Sequence, residues 1–277
     1  MGSGKGRSRR VQSKKAKLNS ALVVLNDGTK LWTVDGERGP TNDTFLNGED
    51  GKLHRLDGPA VELPDGGKEW WVKGKRHRED GPAIEGGAYV VREWWVKGKR
   101  HRQDGPAVEN LNGSTEWWFK GKLHREDGPA QEWPDGDKLW YRNGKKHRDD
   151  GPAVEAKNGV RAWYQNGKMH RLDGPAHVYP GGTQMWYREG QRHRDGGPAL
   201  ESDTMQSWWR DGKCHRDDGP AVVAKNGDKA WYVDGKRHRE DGPAVECADG
   251  EKEYWLDGKQ TTLEAMHKVK TPEKVAF

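Results

Sequence analysis

Aliphatic bulk is what this chain lacks. Only 31% of its 277 residues are hydrophobic while 34% are charged, and three phenylalanines stand beside 15 tryptophans and 38 glycines. The thick aliphatic core of an ordinary domain cannot be assembled from that composition, so a thin structure with aromatic packing is expected. Long apolar runs are missing as well. No stretch approaches the roughly 18 residues of a membrane span, and the amino terminus has no secretory apolar segment, so a cytoplasmic or other intracellular location is expected. Cysteine is scarce: Cys214 and Cys247 fall at positions that other copies of the sequence motif fill with varied residues, and are read as reduced thiols. Acid is absent from residues 1–20, MGSGKGRSRRVQSKKAKLNS, which divides the formal charge of +5 into +7 for this arm and −2 for everything after it. The arm is too polar to fold alone. Its cations Lys5, Arg7, Arg9, Arg10, Lys14, Lys15 and Lys17 are candidates for binding nucleic acid, against the plainer reading of a solubilising terminus or a remnant of expression.

What the chain has in abundance is repetition. The pair His-Arg begins at positions 54, 77, 101, 124, 147, 170, 193, 215 and 238, a period of 22 to 24 residues. Nine tandem units therefore fill residues 51–258, each close to G-K-x-H-R-x-D-G-P-A-V-E, then a variable turn, then Trp-Trp or Trp-Tyr ahead of the next x-Gly. Fixed-period self-similarity is the signature of a repeat architecture.

Segments such as PDGG (64–67), LNG (111–113), KNG (157–159) and ADG (248–250) are hairpin turns, since Asn or Asp followed by Gly accepts positive φ. They join a Pro-Ala-Val-Glu strand to a Glu-Trp-Trp-Val-Lys strand, so one unit reads as one β-hairpin. The fold expected is all-β: an elongated single-layer antiparallel meander of about 23-residue hairpin repeats, on the order of 85 Å long at two strand spacings per unit. Residues 21–50 form a worn N-terminal capping repeat, with Trp32 in the first aromatic position. Residues 259–277 form a C-terminal cap and tail, in which Thr261-Thr262-Leu263-Glu264 is a capping-box start for a short helix.

Neighbouring residues on a strand face opposite ways, so the paired aromatics make two columns. The first, Trp at 70, 94, 117, 140, 163, 186, 208 and 231 with Tyr254, is expected in the drier stack. The second alternates Trp and Tyr and is the candidate partner-binding surface: Trp71, Trp95, Trp118, Tyr141, Tyr164, Tyr187, Trp209, Tyr232 and Trp255.

The units resemble the MORN (membrane occupation and recognition nexus) repeat, a β-hairpin carrying Trp-x-x-Gly-Lys-x-His. More narrowly, H-R-x-D-G-P-A looks like the MORN-variant arrays of bacteriophage and giant-virus proteins. The likeness spans about residues 21–260 and departs from the usual pattern where Arg78, Arg102 and Arg125 replace the Gly after His. That departure weakens any transfer of membrane association. The resemblance implies a sheet that organises other molecules, with virion association as one setting.

His77, Arg78 and Asp80 look catalytic until the copies are counted. No Ser or Cys nucleophile recurs beside them, and an enzyme needs one preorganised site, not nine shallow ones. Equivalent histidines about 9 to 10 Å apart cannot share a zinc ion, and neither metal nor cofactor is expected. In the structural reading, Asp accepts backbone amides of its own turn and Gly supplies permissive φ. Pro starts the next strand, Ala leaves room beside Trp, and His and Arg pair with acids of neighbouring repeats such as Glu62, Glu85, Glu109, Glu132 and Glu155. The function expected is a non-enzymatic scaffold for a protein partner or assembly surface. The alternatives are a nucleic-acid-associated protein anchored by the arm, and a sequestering inhibitor of a ligand or toxin.

Overall fold

The computed structural model describes residues 20–34, 53–87 and 90–270 and divides into two compact units, residues 1–100 and 101–277. The basic arm up to residue 19 and residues 35–50 of the N-terminal cap lie outside the described residues. Among those described, no helix is long and apolar enough to cross a membrane.

Closely spaced turns keep every strand short. In the first unit, β1 (Ser20–Val24) and β2 (Lys30–Val34) form the worn N-terminal hairpin. At its turn Asp27 Oδ1 accepts the Thr29 amide at 2.9 Å. The next repeat supplies β3 (Val61–Glu62), β4 (Lys68–Glu69), β5 (Trp71–Val72) and β6 (Lys75–Arg76). After it come β7 (Ile84–Glu85), β8 (Val90–Glu93), β9 (Trp95–Val96) and β10 (Lys99–Arg100). Strands β2, β3, β4, β7 and β8 pair antiparallel in succession. With β1 these make six meander strands in this unit, and the meander strands of the second unit pair antiparallel in the same way. The all-β meander read from the repeats is therefore present in each unit.

One unit, however, is two hairpins rather than one. β5 and β6 pair only with each other, as do β9 and β10, and form side hairpins off the meander. The cause is the x-Gly pair between them. Lys73 and Gly74 have φ of +51° and +70°, the double positive φ of a type I′ turn, whose twist suits a two-residue hairpin. Eight more non-glycine residues at the same position, from Lys97 to Asp257, have φ between +48° and +53°. Trp70 is the junction. Its amide donates to the Ala83 carbonyl in the meander (2.8 Å) and its carbonyl accepts the His77 amide at the base of the side hairpin (3.0 Å).

The core is a column of alanines. Ala60, Ala83, Ala107, Ala130, Ala153, Ala176, Ala199, Ala221 and Ala244 are all fully buried. Several also bond through their backbone to both neighbouring strands, as Ala83 does by accepting the Trp70 amide and donating to the Glu93 carbonyl. The two faces of the sheet differ. One carries a cross-strand row such as Leu139, Val154 and Ala162. The other carries an alternating-charge row, Glu62, Lys68, Glu85 and Arg92 in the first unit, where opposite charges face each other directly.

At the carboxyl end, Lys252–Leu256 pairs with Lys259–Thr261, and a helix, α1 (Leu263–Lys270), follows. Its cap is Thr262, whose Oγ1 accepts the Ala265 amide at 3.2 Å. The helix thus begins one residue later than a Thr261–Glu264 capping box requires. Both cysteines are free thiols. Burial pushes the Cys214 thiol up to about 11, which keeps it protonated and inert.

Candidate functional site: the loop row and its aromatic columns

Each H-R-x-D-G-P-A loop is an arginine clamp. The Arg78 guanidinium lies over the Trp70 ring at 4.0 Å. Its Nε donates to Asp80 Oδ1 (3.0 Å), and its Nη1 donates to the Pro82 carbonyl (3.1 Å) and to Glu85 Oε1 (2.9 Å). Gly81 completes the clamp, since a Cβ there would stand 3.0 Å from the Arg78 Cζ. The arrangement recurs through Arg125 on Trp117, Arg148 on Trp140 and Arg239 on Trp231, at 4.0 to 4.1 Å, and Arg194 stacks on Trp186 at 3.8 Å without the aspartate bond, since Gly196 replaces that residue. Stacking of this kind contributes roughly 0.5 to 2 kcal/mol.

Three expectations are corrected by this geometry. The loop Asp is held by the arginine two residues before it, not chiefly by turn amides. That side-chain hydrogen bond keeps the carboxyls of Asp80, Asp127 and Asp150 below the ordinary carboxylate range. The Gly before Pro is required for its missing side chain and not for positive φ, which the loop row shows at Gly196, the residue that replaces the aspartate. The acids Glu62, Glu85, Glu109, Glu132 and Glu155 do pair with arginine, but with Arg55, Arg78, Arg102, Arg125 and Arg148 seven residues earlier in the same copy.

The histidines are what link neighbouring repeats. His54 Nδ1 accepts the amide of Lys73, and His77 accepts that of Lys97. In the second unit His101, His124, His147, His170, His193, His215 and His238 accept the amide of the left-handed turn residue one repeat on, at 3.1 to 3.2 Å. At His54 and His101, an accepting Nδ1 means a neutral ring with its proton on Nε2. Burial, with Lys73 and Lys120 nearby, lowers the pKa of His54 and His101. The triplet that looked like catalytic parts is bonded within the fold.

The two aromatic columns differ in partner more than in burial. Members of both are partly buried, and Trp186 of the first column is the one that falls to 9% exposure. In the second, the indole N–H groups of Trp71, Trp95, Trp118 and Trp255 donate inward to Glu69, Glu93, Glu116 and Glu253, and Trp209 donates to Ser207. Cations interleave the rings: Arg76 sits 4.9 Å from Trp71 and 5.4 Å from Trp95. Arg192 and Arg237 donate to the phenol oxygens of Tyr187 and Tyr232. Burial raises the phenols of Tyr141 and Tyr164. The arm residues from Lys5 to Lys17 lie outside the described residues.

Sequence reasoning missed a set of recesses between successive loops of the second unit. One, of about 510 Å³, is lined by Leu172, Asp173, Trp186, Arg188, His193 and Asp195. A second, of about 490 Å³, holds Trp140, Arg142, His147 and Asp149. A third, of about 260 Å³, holds Trp208, Arg210, His215 and Asp217. All three have arginine two residues after the first-column aromatic, where other copies have Val72, Val96, Phe119, Gln165, Val233 or Leu256. Arg142 Nη2 donates to Asp149 at 2.9 Å and Arg188 Nη1 to Asp195 at 3.3 Å. The signal was the residue at that variable position. It becomes meaningful only once that residue is known to sit between loops.

Among the described residues no group of three His, Cys, Asp or Glu is placed to hold a metal ion. No protein-family model matches the chain, and no curated protein matches it.

Proposed function

We propose that the chain is a non-enzymatic repeat scaffold, of the kind the MORN-variant resemblance implies, whose loop row docks a protein partner or an assembly surface such as a virion. The observation that carries this reading is the repeating series of recesses. Each pairs a buried or partly buried tryptophan with an exposed Arg–Asp pair, and the 510 Å³ recess adds Leu172 at 79% exposure. Aromatic and arginine anchors beside small apolar contacts are the composition of binding hot spots. The loop histidines and arginines are already bonded internally, which supports support over chemistry. The second-column rings, Trp71 through Trp255, act as ribs that hold the side hairpins onto the sheet.

Full-length protein should capture a partner from its native source, and Leu172→Asp with Arg188→Asp should lose it while near-ultraviolet circular dichroism stays unchanged. Capture unaltered by both substitutions, or turnover of a small molecule without any partner, would overturn the reading. A second reading, nucleic-acid association through the arm, is favoured by the concentration of positive charge in residues 1–20. It expects salt-sensitive binding that disappears when the seven arm cations are changed to glutamine.

A further inference from the structure

The loop arginines are spent inside the fold, but the lysines at the side-hairpin tips are not. In the first unit the tips read Lys73-Gly74-Lys75 and Lys97-Gly98-Lys99, and all four lysines are exposed. Among the described residues none of their ammonium groups has a carboxylate within ion-pair distance, while Lys168 Nζ, at a second-unit tip, lies 3.6 Å from Glu189 and the other second-unit tip lysines are without one as well. The tips are stacked in order. Gly98 backs onto the Lys75 stem, so that a Cβ at Gly98 would touch the Lys75 Cβ at 3.5 Å. The ammonium pairs therefore form a row stepping about 9 to 10 Å per repeat, two strand spacings.

Charge along the chain sharpens the contrast. Residues 1–100 hold 20 Lys/Arg against 14 Asp/Glu, a net +6, while residues 101–277 hold 29 against 30, a net −1. At the turn position of Lys73 and Lys97, the second unit opens with Lys120 and goes on to place Asn143, Asn166, Glu189, Asp211, Asp234 and Asp257. Lysine at this turn position is thus confined to three successive copies, two of them in the first unit and the third at Lys120.

We propose that Lys73, Lys75, Lys97 and Lys99 form a binding surface for the phosphate backbone of nucleic acid, engaged as charge and without reading bases. Ammonium groups on flexible stems are point donors that suit phosphate oxygens of a linear polyanion, and releasing condensed counterions supplies the driving force. A membrane surface fits less well, since the tips carry Lys-Gly-Lys and present no apolar residue to insert. An acidic protein fits less well too. Carboxylates are best recognised by the planar fork of arginine, and Arg76 and Arg100 are held by Glu69 and Glu93.

The chain's own repeats supply fold-compatible substitutions. Lys73→Asn and Lys97→Asn install the residue found at Asn143 and Asn166, and Lys75→Gln and Lys99→Gln install the residue found at Gln191. The probe is a short fluorescent DNA, as single strand and as duplex, titrated over a range of salt. The background is the full chain with its seven arm cations changed to glutamine, so that the arm is silent. In that background the lysine edge should still bind. The fourfold variant should weaken binding at least about tenfold and flatten the salt slope by about 3, at roughly 0.7 to 0.9 per lost phosphate contact. Changing Lys145, Lys168, Lys213 and Lys236 to glutamine in the second unit should leave binding in place. The proposal is overturned if the fourfold variant binds as before, or if the second-unit variant loses as much. It is equally overturned if the arm-silenced chain ignores DNA yet binds phosphatidylserine vesicles. Retention of a captured protein partner by the fourfold variant separates this surface from the scaffold reading.

Discussion

At the scale of single residues, the repeat is built around one guanidinium. Arg125 sits on Trp117 at 4.0 Å, reaches Asp127, Pro129 and Glu132, and presses against Gly128, where a Cβ would stand 2.8 Å from its Cζ. Gly128→Ala should therefore displace the clamp and cost about 1 to 3 kcal/mol of unfolding free energy, as overpacking does. Gly181→Ala is the matched control. Nothing lies within 4 Å of a Cβ there and its φ is not positive, so denaturant melts should show no loss, or a gain of about 0.4 to 1 kcal/mol from a stiffer unfolded chain. Arg125→Lys should not rescue the clamp. A lysine cannot stack as a plane and bond three acceptors in a fork, and a loss of about 2 kcal/mol is expected in the same melts.

At the scale of the element, neighbouring repeats are coupled through histidine. His101 Nδ1 accepts the Lys120 amide with Phe119 edge-on at 4.8 Å, and burial lowers its pKa. The folded ring then binds its proton less readily than the unfolded ring, whose pKa is near 6.5. Stability is complete above that value and is lost as pH falls below it, because only the unfolded chain takes up the proton there. Thermal melts from pH 8 to pH 5 should show a falling Tm, and His101→Asn together with His54→Asn should flatten part of that fall. A Tm constant across the range would contradict the neutral acceptor role. The lowered loop carboxyls act in a separate window. Asp80, Asp127 and Asp150 contribute stability above their ordinary value near 4, and that contribution is lost at more acid pH as each protonates in the fold.

At the scale of the whole chain, repetition makes stability nearly additive over neighbours. Removing residues 124–146 takes out one period, from His124 to the residue before His147, and joins equivalent positions. The shortened protein should remain folded, with an unchanged tryptophan near-ultraviolet spectrum per repeat and a modestly lower midpoint in urea. Loss of all cooperative unfolding would show that the repeats do not act as nearest-neighbour units.

Much of this was legible in the order of residues. The count of repeats, the turns at Asn-Gly and Asp-Gly, the alanine that fits only a closed core and the thinness of that core follow from composition and period alone. They follow because short-range turn chemistry and missing aliphatic volume act wherever the segment sits. What the tertiary structure decided was which atoms each motif residue uses. Arg78 finds Trp70 eight positions earlier, His77 finds an amide in the next repeat, and Lys73-Gly74 closes a second hairpin that splits the aromatic pair between meander and side hairpin. Those partners are set by the register between repeats, and register arises only when two copies pack side by side.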